Sequence, residues 1–485
     1  MSAMFRSLSG VNYRIWFAGA LVSNIGTWMQ RTAQDWIVLT QLTNHNAAAV
    51  GIVMALQFGP QLLLLPWSGL IADRFDRRKL LILTQTSMGA LALGLGLITV
   101  LGVVELWHVY LFAFALGVVS AIDAPARQAF VGELVNDDNM SNAVALNSAS
   151  FNGARLIGPA VAGVLTAAVG AGWVFLINAV TFAFTVLAMF LLRKSLLRVQ
   201  HLAPRARGQL LAGFRYVRGR PDIIVVLIVV FLVGTFGFNF AIFTSTMTTV
   251  VFGLGASEFG LLSSIMAIGS VAGALLSAQR PHARLRLILI GSAAFGITCG
   301  IAAFMPSYGL FAAALILVGF SSLTLMTTAN AYVQTTTEPS MRGRVMALYM
   351  AIFAGGTPLG APLVGWVADE FGPRWAVGVA AASGVLAAAA ILIWMIKYRG
   401  LRLRYRPRVG VRLELRHLGD GRALTGTLSI VATKEFILPT GAVATIGETA
   451  VEGPERLKTD ADAIERETRE TATESIAVVE ATTTR

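Results

Sequence analysis

The sequence predicts an all-α membrane protein, with twelve transmembrane helices in two pseudo-symmetric six-helix bundles and a C-terminal tail. Three observations predict this class. Of 485 residues, 55% are hydrophobic and 13% charged, where a soluble domain carries about 25% charged residues. Apolar runs long enough to cross a bilayer core, ~20 residues each, recur twelve times before residue 400. Lysine and arginine collect in alternate loops, as they do on the cytoplasmic side of membrane proteins.

The first span covers 12–40. It is too long for the apolar core of a cleaved signal peptide and contains Arg31 and Asp35, so it reads as a retained helix. Spans two to six lie at 47–72, 80–102, 107–129, 141–168 and 172–193. Spans seven to twelve lie at 222–251, 257–279, 285–305, 308–331, 343–368 and 374–397. With the N-terminus inside, the inner loops hold Arg6 and Arg14, then Arg74, Arg77, Arg78 and Lys79. They also hold the arginines of the central linker, then Arg280, Arg284 and Arg286, and finally Arg342 and Arg344. The outer turns hold only Arg374. An even span count places both termini in the cytoplasm, with the chain in the cell membrane. The formal +12 is then a topological signal, and no nucleic-acid partner is expected.

The domain organisation follows: an N-terminal bundle, 1–193; a basic cytoplasmic linker, 194–221, suited to lipid head groups; a C-terminal bundle, 222–398; and a cytoplasmic tail, 399–485. The two bundles trace a duplication. Gly153, Gly158 and Gly163 recur every five residues in span five, and Gly355, Gly360 and Gly365 do the same in span eleven, offset by 202. Repeats of this kind point to a transporter built from two halves.

Five ionisable residues fall within spans, all in the first half: Arg31, Asp35, Asp123, Arg127 and Arg155. Such groups cost several kcal/mol in hydrocarbon and are functional candidates. Arg31 and Asp35 are four apart on one helical face, as are Asp123 and Arg127. Arg155 is the deepest and has no acidic neighbour on its own helix, so it meets a partner elsewhere or faces a wet cavity. The structural reading pairs Asp123 with Arg127, and Asp73 with Arg127 across the inner face. The functional reading has Asp35 or Asp123 release a proton inward while substrate leaves outward. Arg31 and Arg155 would then favour an anionic or carbonyl-rich ligand through their fork of donors. Neutral cavity candidates are Asn24, Gln30, Gln34, Gln57, Gln61, Asn239 and Asn330. Phe231, Phe236, Phe238, Phe240 and Phe243 crowd span seven, a pattern that more often faces lipid or packs than forms a ligand wall, though aromatic linings suit bulky amphipathic compounds.

The loop Gly69-Leu-Ile-Ala-Asp73-Arg74-Phe-Asp76-Arg77-Arg78 resembles the signature of the major facilitator superfamily, Gly-x-x-x-Asp-Arg-x-Gly-Arg-Arg, with Asp76 where that family has glycine. The resemblance implies gating roles for Gly69, Asp73, Arg74 and Arg78. In the second half Ser277 replaces the aspartate. Gly158, Pro159 and Gly163 in span five resemble the Gly-Pro motif of the family's antiporter branches, which goes with export. Asp123 to Phe130, Asn142 to Asn147, and Gly26 to Gln30 with Trp36 resemble its bacterial drug and siderophore exporters. Over residues 10–398 the resemblance implies a monomeric secondary transporter. It would export a small amphipathic compound of drug or siderophore type against protons, by alternating access.

Other chemistries lack their residues. None of the five lysines follows a glycine, so no phosphate-cradling Gly-Lys-Ser/Thr loop exists. The five histidines have no zinc spacing, and no Gly-x-Ser-x-Gly elbow occurs. No enzyme, metal or cofactor is expected, and the single cysteine, Cys299, reads as packing. In the tail, Arg402, Arg404, Arg406 and Arg408 alternate with other residues, suggesting a hairpin within 401–440. The stretch from Glu452 reads as disordered. The rival readings are a polytopic receptor or scaffold signalling through this tail, and an uptake symporter of the same fold.

Overall fold

The structure, a computed structural model, describes residues 3–198, 209–278, 283–399, 401–406, 410–415 and 428–429. The first half holds α1 (Val11–Ile37), α2 (Ala47–Arg74), α3 (Arg77–Val100), α4 (Leu106–Leu134), α5 (Asp137–Val169) and α6 (Ala171–Leu191). A short α7 (Gln209–Arg218) lies in the linker. The second half holds α8 (Pro221–Leu232), α9 (Phe240–Thr246), α10 (Ala256–Ala278), α11 (Leu285–Ala303), α12 (Tyr308–Thr336), α13 (Pro339–Phe371) and α14 (Pro373–Arg399). Together α8 and α9 form one span, so the twelve predicted spans are all present. Several helices continue one or two turns beyond the apolar runs, because a helix satisfies its own backbone in head groups as well as in hydrocarbon.

Eleven of these spans are long and apolar enough to cross a membrane by composition. The twelfth, α1, is more polar, yet at 27 residues it is ~40 Å long. Its polar residues turn inward: Asn12, Gln30, Gln34 and Asp35 are buried, and the helix packs against α5 and α6.

The helix starts are encoded locally. Asn46 accepts a hydrogen bond from the Ala49 amide at 2.8 Å and caps α2. Asp76 accepts from the Lys79 amide at 3.0 Å and caps α3. This explains the acid at a glycine position of the signature loop: a carboxylate satisfies an orphan amide and complements the helix dipole. Single left-handed glycines, Gly170 (φ 88°) and Gly372 (φ 96°), join α5 to α6 and α13 to α14. They are again 202 residues apart.

The pairing of helices is duplicated too. In the first half α2 packs on α4 and α3 on α6; in the second, α10 packs on α12 and α11 on α14. The halves meet through α5 against α10 and α2 against α13. At both seams small residues let backbones touch. A Cβ on Gly163 would lie 2.6 Å from the Ala256 carbonyl oxygen, and one on Gly260 would collide with the Pro159 carbonyl. At the other seam, a Cβ on Gly365 would collide with the Ala47 carbonyl, and one on Gly51 with that of Ala361. The pairs 163/365 and 159/361 share the 202 offset, and 47/256 and 51/260 share an offset of 209. One packing solution has been used twice. Both seams close the end of the bundle away from the arginine-rich loops. There Asp369 of α13 also accepts from the first amides of α2, Ala47 at 2.7 Å and Ala48 at 2.9 Å.

Three features depart from the sequence reading. Span seven is broken: between α8 and α9 the chain widens into a π-turn at Val233–Gly237 and leaves helical geometry at Phe238 and Asn239. Gly356 and Gly360 of α13 admit the Thr235 backbone there. Second, the linker contains α7, whose Gly213 sits against Arg344 of α13. At its end Arg220 pairs with Asp222 at 2.8 Å, which raises the arginine pKa above its usual range. Third, in place of a simple hairpin, β1 (Leu401–Arg406), β2 (Gly410–Leu415) and β3 (Leu428–Ser429) form a three-stranded sheet in that order. The expected disordered stretch from Glu452 lies outside the described residues.

Candidate functional site

A cavity of about 790 Å³ lies between the halves. The first half lines it with one face of α1 and one of α5. Trp28, Arg31, Thr32 and Asp35 recur at helical spacing on α1, and Phe151, Arg155 and Pro159 recur every four residues on α5. From α2 come Met54, Gln57 and Phe58. The second half supplies Phe238 and Phe240 at the break in span seven, Met266 of α10, Met326 and Asn330 of α12, and Tyr349 and Phe353 of α13. The lining continues through Ala274 and Ser277 to Ala283 beside the α10–α11 loop, which is an arginine-rich loop. The two walls differ in chemistry: among the described residues the charged side chains of the lining, Arg31, Asp35 and Arg155, all sit on the first half. The facing wall mixes aromatic and thioether side chains with Ala, Leu, Ser, Thr and Asn330, and carries no charge among the described residues.

Trp28 organises the charged wall. The Arg31 guanidinium lies 5.3 Å from its ring centroid and 5.0 Å from that of Phe58. The Arg155 guanidinium lies 5.7 Å from the Trp28 ring. These are cation–π distances. The Arg31 Nε has no hydrogen-bond partner. Gly158 makes room for the tryptophan: a Cβ there would lie 2.6 Å from the Trp28 Cβ. Thus Gly158 and Gly163 face different neighbours, the first holding α5 on α1 and the second holding α5 on the opposite half. Pro159 between them lines the cavity.

Asp123 and Arg127 are placed elsewhere. The Arg127 fork reaches one carboxylate oxygen of Asp123, Nε at 3.1 Å and Nη2 at 3.0 Å. The other oxygen accepts from the Thr84 hydroxyl at 2.7 Å and the Gln85 amide at 2.8 Å. Asp123 is buried, satisfied on both oxygens, and away from the cavity. This is the local pair of the structural reading. The Asp73 side chain lies outside the described residues, so its pairing with Arg127 does too.

Of the neutral candidates, Gln57 and Asn330 line the cavity and the other five do not. Asn24 donates to Ser150 at 3.3 Å, Gln30 accepts from Asn178 at 2.6 Å, and Asn239 donates to the Thr235 carbonyl at 2.7 Å. Gln61 donates to the Gln57 carbonyl at 3.3 Å, and Gln34 is buried in the bundle. The first four amides hold helices to one another or serve their own helix, whereas the buried Gln34 Nε2 has no hydrogen-bond partner. In the signature loop, Arg78 donates to the carbonyls of Met189 and Phe190 at the end of α6, at 2.8 and 3.4 Å. Gly69 lies near the end of α2, and Arg74 is exposed on its last turn. Arg77, not singled out from sequence, makes a buried 2.8 Å ion pair with Glu133 of α4.

The sequence favoured lipid or packing over a ligand wall for the phenylalanines of span seven. Phe231 is exposed and Phe243 buried, but Phe238 and Phe240 line the cavity, because the break in the helix swings them there. Phe58, Phe151, Phe259, Tyr349 and Phe353 were also missed; a single aromatic on an apolar helix carries no mark of which face it occupies.

A family model described as a transmembrane secretion effector matches residues 2–402. The chain is 28% identical over 400 residues to the staphyloferrin A transporter of Staphylococcus aureus, covering 81% of this chain and 97% of that protein. It is 26% identical over 384 residues to the enterobactin exporter EntS of Shigella boydii serotype 18, covering 75% and 88%. A bacterial homolog of the human lysosomal transporter Spinster, solved inward-facing and occupied, superposes with TM-score 0.63 at 16% identity, over 81% of this chain and 97% of that one. A POT family transporter in complex with 5-aminolevulinic acid gives 0.65 at 13%, over 80% and 96%. At such identities these two structures speak for the fold alone.

Proposed function

Because the chain belongs to the transmembrane secretion effector family of major facilitator transporters, and is thus a multi-pass membrane transporter, we propose that it exports a small amphipathic compound in exchange for protons. The cavity carries this reading: it is walled by both halves, and its lining reaches the arginine-rich loops while glycine seams close the other end. With those loops in the cytoplasm, the cavity takes substrate from inside. Rocking of the halves about the α2–α13 and α5–α10 contacts then gives access to the outside. Two relatives carry siderophores in their names, a staphyloferrin A transporter and an enterobactin exporter, which supports a siderophore-like cargo. The cavity is of a size that accepts ligands of this kind.

Asp35 is the group assigned to proton exchange, since it is the carboxylate in the cavity lining. Asp123 is assigned to structure. The signature-loop residues Gly69, Asp73, Arg74 and Arg78 are assigned to gating at the cytoplasmic end, and one chain is the transporting unit. The test is flux in proteoliposomes with an imposed pH gradient and a panel of siderophores, lipophilic cations and sugars. A proton-dependent flux of at least one amphipathic compound is expected. No flux with any of them in either direction would overturn the reading.

A further inference from the structure

The arginines within the spans and at their ends fall into two groups. Arg127 is bound by Asp123, and Arg77 by Glu133. At the edge of the bundle Arg220 is bound by Asp222. Each of these positive charges has a carboxylate within ion-pair distance. Arg31 and Arg155 are different. Among the described residues neither makes an ion pair or a side-chain hydrogen bond, and what they touch is aromatic: Trp28 for both, and Phe58 for Arg31. An aromatic face holds a cation but leaves its N–H donors open.

Two guanidinium groups on one ring repel each other, and burial in low dielectric strengthens that repulsion. Asp35, one turn from Arg31, is the only carboxylate in the lining among the described residues, so this wall carries two arginines against one aspartate. Arginine presents a planar fork that matches oxygen anions in a bidentate way. Both guanidinium groups lie within 6 Å of the same indole centroid and line the same cavity, so a ligand filling it meets the two arginines together.

We propose, on the basis of the transport reading above, that the cargo carries an oxygen anion, a carboxylate or an acidic phenolate, which Arg31 and Arg155 bind at Trp28. Its apolar or aromatic body lies against Phe238, Phe240 and Phe353 on the facing wall. Lipophilic cations are then disfavoured, because they meet two arginines for one aspartate.

The probe set is 1-naphthoate, its methyl ester and 1-naphthylmethylammonium, which share one aromatic body and differ in charge. Binding is measured by calorimetry on the purified full chain, and flux in proteoliposomes. The wild-type chain is expected to bind the anion at least tenfold tighter than the cation. Arg31→Gln and Arg155→Gln each lose tenfold or more for the anion and leave the ester unchanged, which also reports an intact fold. Arg155→Lys recovers part of the loss, and Arg155→Glu turns the preference toward the cation. Equal or tighter binding of the cation by the wild type, unaltered anion binding in both Gln variants, or no binding of any probe would overturn the proposal. Anion binding without flux of any probe would count against the transport reading and leave the anion site standing.

Discussion

Removing the Asp369 carboxylate should loosen the closed end of the molecule without unfolding it. Asp369 belongs to α13, yet its two oxygens accept from the Ala47 and Ala48 amides that begin α2, at 2.7 and 2.9 Å. It therefore caps a helix of the other half. Replacing a capping carboxylate by alanine costs about 0.5–2 kcal/mol, and the lost charge–dipole interaction contributes ~0.3–1 kcal/mol within that figure. The helix keeps its own cap, because Asn46 still accepts from the Ala49 amide. The cost thus falls on the contact between halves. About 0.5–2 kcal/mol taken from the closed state multiplies the open fraction by roughly 2–30. Spin labels at Leu101 and Phe304, both well exposed on loops of opposite halves, would measure this by pulsed dipolar spectroscopy. The native Cys299 is buried and does not compete for label. In Asp369→Ala the longer-distance population should rise by that factor, and in Asp369→Asn, which keeps one acceptor, by less. Distance distributions identical to wild type in Asp369→Ala would refute the latch.

Gly163→Val and Gly365→Val drive a side chain into the Ala256 and Ala47 backbone respectively; each should abolish the closed seam and transport while leaving size-exclusion behaviour normal, as read by the same label pair and by flux. Asp123→Asn removes the carboxylate that pairs with Arg127 among the described residues, and breaking a buried pair costs about 3–5 kcal/mol. A fall in Tm is expected, with proton dependence intact in the protein that remains folded; loss of proton dependence at unchanged Tm would contradict the structural assignment. Asp35→Asn should do the reverse, keeping Tm and substrate binding while removing the response of flux to a pH gradient. Gly158→Val presses on Trp28 and on the α1 backbone at Ile25 and Met29, and should weaken substrate binding at least tenfold together with a fall in Tm.

The helices, their order and their number were legible because crossing a bilayer is a property of each segment alone. A helix closes its own backbone hydrogen bonds, so twenty apolar residues mark a span wherever they fold. Span one was legible despite Arg31 and Asp35, since its length outweighed its charges. The duplication was legible because close packing needs glycine at fixed places, and Gly163 and Gly365 serve the same contact in each half. The break in span seven left no such trace: it depends on Gly356 and Gly360 of α13 admitting the Thr235 backbone, far along the chain.

The five charges within the spans illustrate the division. By itself the sequence determined that they exist, how deep they lie, and that Asp123–Arg127 and Arg31–Asp35 share a helical spacing. These are one-dimensional facts, set by periodicity and the length of a turn. The two pairs look alike in that respect. Only the tertiary structure separated them, since a side chain's environment is made by its neighbours. Thr84 and Gln85 of α3 complete the shell of Asp123 and withdraw it from the cavity, whereas α2, α5 and the facing half leave Arg31, Asp35 and Arg155 lining open space around Trp28.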